Sequence, residues 1–389
     1  MARNRRNLGI AAALFVLLVA GAAMLPSMSW LCGLAVLAGL AGVVVLRGNG
    51  WRSGALLFAA VATAVGLLDL FAGVVSPEAH GTGLVTTYAP RDWTRIDPDL
   101  GYRPKPDSKV VNKATYGSQT VFDVTYTITA NGTRATSPAP PGADTYLFVG
   151  DSFMFGHGLA DDETLPAQFA KAADFKVRTV NASAPAAAPN QFVRLLEAGR
   201  LDWLRGQPVK AVVTWIIPPH LARVAGDEPW LGASPRYELA NGAPRFTGSF
   251  DDYRRAHPLA EVQHLAEGQF AFVAALGMRQ RQERQAALFA ALMVRLQQLV
   301  HEKFDAPLIV LYSWPDEQSP PGSGDNAVAQ PMLVSILKGL RDRGLTLVAV
   351  NRLMHDLPSE TIAFPHDGHP TAFADGLVAA ELKKRLIGP

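Results

Sequence analysis

Tyr146-Leu147-Phe148-Val149-Gly150-Asp151-Ser152 is the stretch on which the reading of this chain turns. Four apolar residues closed by a glycine have the length and composition of a strand buried on both faces. Strands of that kind build parallel sheets, and ligands of such sheets gather beyond the C-terminal strand ends, where Ser152 stands. Val177–Val180, Val209–Ile217, Leu308–Tyr312 and Leu345–Val350 repeat the pattern. Between them lie helical stretches: Thr164–Ala173, Gln191–Leu204, a segment with Leu288, Leu292, Leu296, Leu299 and Val300 at helical spacing, and a closing helix Thr371–Leu386. The alternation predicts an α/β fold with a parallel five-stranded sheet covered by helices on both faces.

A second segment near the C-terminus, Asp367-Gly368-His369-Pro370, supplies what the serine lacks. A serine hydroxyl is a weak nucleophile until a positioned histidine takes its proton and a carboxylate orients that histidine. Val149-Gly150-Asp151-Ser152-Phe153-Met154-Phe155-Gly156-His157-Gly158, followed by Glu163-Thr164-Leu165-Pro166, resembles the first block of the SGNH/GDSL hydrolases, and the Asp367 to Pro370 segment resembles their last. The resemblance runs from Asp144 to the C-terminus. It implies a flavodoxin-like three-layer sandwich and ester chemistry through a serine acyl-enzyme, with Ser152 as nucleophile, His369 as general base and Asp367 as orienting carboxylate. The acid stands two residues before the histidine, where the commonest family spacing is three and this chain has His366. His366 reads as a loop residue.

An oxyanion hole is implied as well, with the Ser152 amide as one donor. The family's second donor is a glycine amide after the second strand. Here the segment Asn181 to Ala187 has no glycine, and Ala186 takes the place. The third donor, an asparagine after the third strand, is missing from Pro218-Pro219-His220-Leu221-Ala222-Arg223. Asn190 and His220 are the residues expected to substitute, His220 as a substrate contact.

Upstream, the composition changes. Leu8–Leu25, Trp30–Leu46 and Gly54–Val75 are apolar runs, the third broken only by Asp69. A bilayer core takes about 20 apolar residues as helix, so residues 1–76 are expected to be a membrane anchor of three transmembrane helices. A cleaved signal peptide accounts for the first run but not for the two that follow it. Arg3, Arg5 and Arg6 precede the first run, and Arg47 and Arg52 flank the loop between the second and third, whereas Pro26-Ser27-Met28-Ser29 has no basic residue. The bias places the N-terminus inside and everything after Val75 outside, as in a multi-pass inner-membrane protein with a periplasmic catalytic domain. Asp69, near the outer end of its span, is expected to snorkel. The single cysteine, Cys32, falls in the second run, so the exported part has no disulfide.

Residues 77–141 read as a linker and small β-rich segment. Phe122, Val124, Tyr126 and Ile128 alternate with polar residues as in a half-buried strand, with Asn131-Gly132 as a turn signal. Residues 142–389 form the hydrolase-like domain, and 221–278 within it read as a lid or substrate-binding excursion. The 389 residues are 49% hydrophobic with a net charge of +2 and no basic stripe, which argues against a nucleic-acid partner. His366 and His369 lack a Cys or Glu partner set, so no metal is expected, and no cofactor. The expected partners are inner-membrane lipid, an acylated carbohydrate or other ester substrate, and a membrane protein that donates acyl groups. The resemblance and the address together imply an esterase or O-acyltransferase acting on acyl (acetyl) esters of cell-surface or exported polysaccharide. The alternative is a catalytically weak module that binds polysaccharide or scaffolds an export complex.

Overall fold

The structure, a computed structural model, describes residues 28–46, 48–75, 83–259, 278–319 and 325–388. These divide between two compact units, residues 1–80 with 254–281, and residues 81–253 with 282–389.

The first unit contains a helical hairpin, Met28–Val45 and Asn49–Val75. Small residues bring the two helices together: a Cβ built on Gly39 would lie 2.7 Å from the Cβ of Ala59, the kind of close approach by which helices associate where no hydrophobic force drives them. Asn49–Leu67 is long and apolar enough to cross a membrane; Ala35–Val45, the described apolar part of the preceding helix, is shorter. The first expected span and the side chain of Asp69 lie outside the described residues.

The second unit begins with the strands β1 (Leu84–Ala89), β2 (Thr94–Asp97), β3 (Gly101–Pro104), β4 (Ser108–Tyr116) and β5 (Gln119–Ile128). β1, β4 and β5 form an antiparallel sheet and β2 pairs with β3. β4 alternates in burial, with Val110, Asn112 and Ala114 inward and Lys109, Val111 and Lys113 outward, as one solvated face requires. Trp93, Val110, Tyr126 and Ile128 pack around Phe155, so this segment closes its core on the last residue of the short helix Ser152–Phe155.

The remaining strands are β6 (Thr145–Phe148), β7 (Arg178–Asn181), β8 (Val209–Ile216), β9 (Pro235–Ala240), β10 (Ala243–Ser249), β11 (Leu308–Tyr312) and β12 (Thr346–Ala349). Five of them form one sheet in the order β12-β11-β8-β6-β7, every neighbouring pair parallel. Counted from β6 this is the order 2-1-3-4-5 of the flavodoxin-like doubly wound sheet, whose switch point opens beside β6. Leu147, Val149, Val212 and Val310 face helices Pro189–Glu197, Met278–Phe304 and Asp325–Asp342. Tyr146, Phe148, Val213 and Leu311 face helices Leu165–Ala172 and Ala372–Leu386. The fold is the expected three-layer sandwich. Each fully buried Leu, Val or Phe contributes about 1.5–3 kcal/mol.

In the stretch 221–278, the described residues form a short helix, the β9–β10 hairpin and helix Phe250–Ala256. The hairpin packs outside helix Pro189–Glu197, with the Tyr237 hydroxyl donating to Glu197 at 2.6 Å. Of the described residues beyond 223 in this stretch, none lines the cavity at Ser152. Arg223, at the start of this stretch, does line it.

Candidate active site

The first turn after β6 holds Ser152, the expected nucleophile. Asp151 caps the short helix Ser152–Phe155, accepting from the Phe153 amide at 3.0 Å. With the capping done by its neighbour, the Ser152 hydroxyl is left for other work. Gly150 is required by space: a Cβ there would meet the Met154 Cβ at 2.5 Å. The expected base and acid, His369 and Asp367, share one loop, whose stem is closed by a bridge between Ala363 and Pro370. Within it the Phe364 amide donates to the His369 carbonyl at 2.9 Å, and Thr371 then caps the closing helix.

The sheet brings these distant segments together. His369 Nε2 lies 2.7 Å from Ser152 Oγ, and His369 Nδ1 lies 2.9 Å from Asp367 Oδ1. The geometry is that of a hydroxyl donating to an imidazole whose far N–H is held by a carboxylate. Burial pushes the Asp367 carboxyl up, but the hydrogen bond and charge of His369 outweigh it, so its pKa falls below the ordinary carboxylate value. Asp367 Oδ2 is buried without a hydrogen-bond partner among the described residues.

His157 sits against the same pair, its ring centroid 4.5 Å from that of His369 and its Nε2 3.8 Å from Asp367 Oδ2. Burial and the neighbouring His369 lower its pKa to about 4, which keeps it neutral when His369 takes up a proton. His157, Asp367 and His369 are also the one group of three potential ligand side chains found close together among the described residues. Of the three, His369 is hydrogen-bonded to Ser152 and to Asp367, so two of the set are already engaged with each other.

The expected oxyanion donors are placed unevenly. Ala186 lines the cavity beside Ser152 with φ +63°, a conformation that costs an alanine about 1–2 kcal/mol and a glycine little. Its loop is held by the Ala184 amide on Gly150 O at 3.1 Å and by the Tyr102 hydroxyl on Pro185 O at 2.5 Å. The amides of Ser152 and Ala186 have no acceptor among the described residues. Asn190 does not reach the site: it is fully buried and donates to Pro235 O at 2.7 Å. Neither does His220, also fully buried, whose Nε2 lies 3.1 Å from Asp151 Oδ2 while its Nδ1 accepts from the Ile217 amide at 3.4 Å. Both expected substitutes are thus absorbed into the supporting structure. His366 stacks flat on Tyr116, with centroids 3.6 Å apart.

The cavity at Ser152 and His369 has a volume of about 820 Å³. Its wall is largely apolar, with Phe153, Trp215, Ile217, Met354, Leu357 and Ile362 among the lining residues, joined by Tyr88 from β1 and by Arg223. No family model matches the chain, and the search of curated proteins returned no match. Among solved structures, those it is similar to are SGNH/GDSL lipolytic proteins and esterases. A member of the lipolytic G-D-S-L family from Veillonella parvula is 10% identical at a TM-score of 0.37, covering 63% of this chain and 98% of its own. A catalytic mutant of an acetylxylan esterase from Geobacillus stearothermophilus is 12% identical at a TM-score of 0.35, covering 66% and 97%. A psychrotrophic esterase from Pseudoalteromonas is 16% identical at a TM-score of 0.33, covering 63% and 96%. At such overlaps the weight rests on the site's own geometry.

Sequence reasoning missed His157, Tyr88, Arg223 and the whole wall from Val350 to Ala363. His157 lies inside that first block, five residues after Ser152, and this proximity in the chain was the available signal. The wall is built by two helical turns, Val350–Leu353 and Ser359–Ile362, too short to leave a periodic pattern.

Proposed function

We propose that this chain is an SGNH/GDSL-type serine esterase or O-acyltransferase. The observation that carries the reading is the relay from Asp367 through His369 to the Ser152 hydroxyl, at 2.9 and 2.7 Å, opening into an apolar cavity. Ser152 Oγ attacks the ester carbonyl as His369 Nε2 takes its proton, and the carbonyl π pair moves onto oxygen. Collapse breaks the bond to the leaving alkoxide, which takes the proton back from His369 and leaves Ser152 acylated. Water or a sugar hydroxyl, activated by the same imidazole, then releases the acyl group. Hydrolysis and transfer share every step but the last acceptor.

The substrate reading is acyl esters of cell-surface or exported polysaccharide. An acetyl group would occupy a small part of a cavity of about 820 Å³, so the apolar wall favours longer acyl groups or an apolar flank beside the ester. The address reading is an inner-membrane protein with this unit on the outer side, supported by the Arg3, Arg5, Arg6, Arg47 and Arg52 bias and by the apolar helix Asn49–Leu67. A membrane partner is then the source of acyl groups for transfer. A reporter fused after Val75 that is active only in the cytoplasm would overturn the address.

The deciding experiment uses the detergent-solubilised full chain. It should hydrolyse p-nitrophenyl esters, faster with butyrate than with acetate, and take up a fluorophosphonate at Ser152; Ser152→Ala should do neither. A folded protein that resists labelling favours instead the weakly catalytic, polysaccharide-binding or scaffolding module, for which Pro218-Pro219 in place of the family's asparagine is the supporting observation.

A further inference from the structure

Arg223 enters the site from the short helix His220–Ala225, just past the prolines that replace the family's third oxyanion donor. Its Nη1 lies 3.2 Å from Asp151 Oδ2 and 3.5 Å from the Ala187 carbonyl. Asp151 immediately precedes Ser152, and Ala187 immediately follows Ala186. The guanidinium is therefore clamped between the two segments that carry the free amides. Its side chain is 13% exposed and lines the same cavity as Ser152, Ala186 and His369. Among the described residues only Nη1 is hydrogen-bonded, and the buried Nε has no partner.

The charges around it are arranged to leave its field pointing one way. Asp151 is fully buried and is not among the residues that line the cavity, whereas Arg223 is. Burial keeps His220 in its neutral form, pushing its pKa down, so Asp151 and Arg223 make a single ion pair of zero net charge. The positive end of that pair faces the cavity, the negative end the protein. A dipole fixed in this sense stabilises negative charge that develops on the cavity side and costs no reorganisation when it does.

We infer that Arg223 is the third oxyanion donor, taking by charge and fork geometry the place that an asparagine amide holds elsewhere. The inference rests on the serine-esterase reading above. As the Oγ–carbon bond forms and the π pair moves onto oxygen, the amides of Ser152 and Ala186 and the unused edge of Arg223 receive that oxygen. The residue then acts on the transition state more than on the bound ester.

The test is steady-state kinetics on the full chain with p-nitrophenyl butyrate. Arg223→Ala should lower kcat by about 10²–10³-fold, the usual loss for one such donor, with KM changed by less than about threefold. Guanidinium chloride at millimolar concentration should restore part of kcat, and sodium chloride should not. Arg223→Lys keeps the pairing with Asp151 and covers the case in which the alanine variant does not fold; it should retain intermediate kcat. A folded variant with kcat within about threefold of the parent overturns the assignment, as does a rise in KM alone, which would make Arg223 a binder of an anionic substrate group. If the parent itself turns over no ester and Ser152 resists fluorophosphonate, the esterase reading fails and not the placement of Arg223 alone.

Discussion

The Arg134 guanidinium donates to the Gly156 carbonyl at 2.5 Å, and its backbone amide donates to Asn181 O at 2.9 Å at the end of the edge strand β7. The same Nη1 reaches Phe155 O at 2.8 Å, and Nη2 reaches Leu159 O. One buried side chain thus supplies donors to three carbonyls of the segment that follows Ser152, of which Gly156 O also accepts from the Leu159 amide at 3.2 Å. Desolvation lowers the Arg134 pKa, but Tyr126 and Asp161 beside it help retain the charge.

Arg134→Met should therefore destabilise the fold by about 3–5 kcal/mol, since it leaves several buried acceptors and a carboxylate without their cation. Arg134→Lys should restore little, because an ammonium cannot reproduce the fork. Urea denaturation measures both. A loss under 1 kcal/mol for the methionine variant would show that water replaces the guanidinium freely.

Asp367→Asn should reduce kcat on the order of 10³–10⁴-fold with little change in melting temperature. The amide would offer a donor to His369 Nδ1 and favour the wrong tautomer. Kinetics with thermal denaturation of the same sample checks it; less than a tenfold loss would remove Asp367 from the relay.

His157 makes acid stability its own test. Its folded pKa of about 4 lies below the ordinary 6.5, so the unfolded chain takes up a proton that the folded protein refuses. The stability it allows is complete above pH 6.5 and is lost as pH falls toward 4, by about 3 kcal/mol in all. His157→Phe should flatten the stability–pH curve over that window. An unchanged slope between pH 6.5 and 4 would mean that His157 is protonated in the fold.

Asp375, on the closing helix, behaves in the opposite sense. It is fully buried, and burial raises its pKa well above 3.8 against the weaker opposing pull of the Leu165 amide and of Arg134. The folded protein holds a proton that the unfolded chain releases, so stability falls as pH rises above that value. Asp375→Asn should stabilise the protein at pH 8, and the gain should vanish near pH 4. A variant less stable at pH 8 would mean that the ionised carboxylate is doing a task not seen here.

Much of this was legible in the sequence because continuous apolar strands cannot avoid their role. Tyr146 to Val149 has no polar face to offer solvent, so a sheet covered on both sides was its only place, and Ser152 followed at the strand end. Asp367 and His369 were legible through the resemblance that their segment carries. The oxyanion side was not. Asn190 and His220 have the right chemistry near the right strand ends, but Pro235 O and Asp151, one distant in sequence and one hidden inside the motif, claim them first. Arg223 was passed over because nothing in the order of residues tells that an arginine points at a carboxylate 72 positions earlier.

Asp367 and His369 lie two residues apart on a loop stapled at Ala363 and Pro370 and continuous with the last helix. The proposed relay is therefore carried by two pieces, a C-terminal one holding His369 and Asp367 already hydrogen-bonded and a sheet-borne one holding Ser152. Whatever loosens helix Ala372–Leu386 withdraws both partners of Ser152 at once, so turnover would cease as a step while the sheet still stands. On the esterase reading proposed above, activity would be a gauge of whether this fifteen-residue helix is seated.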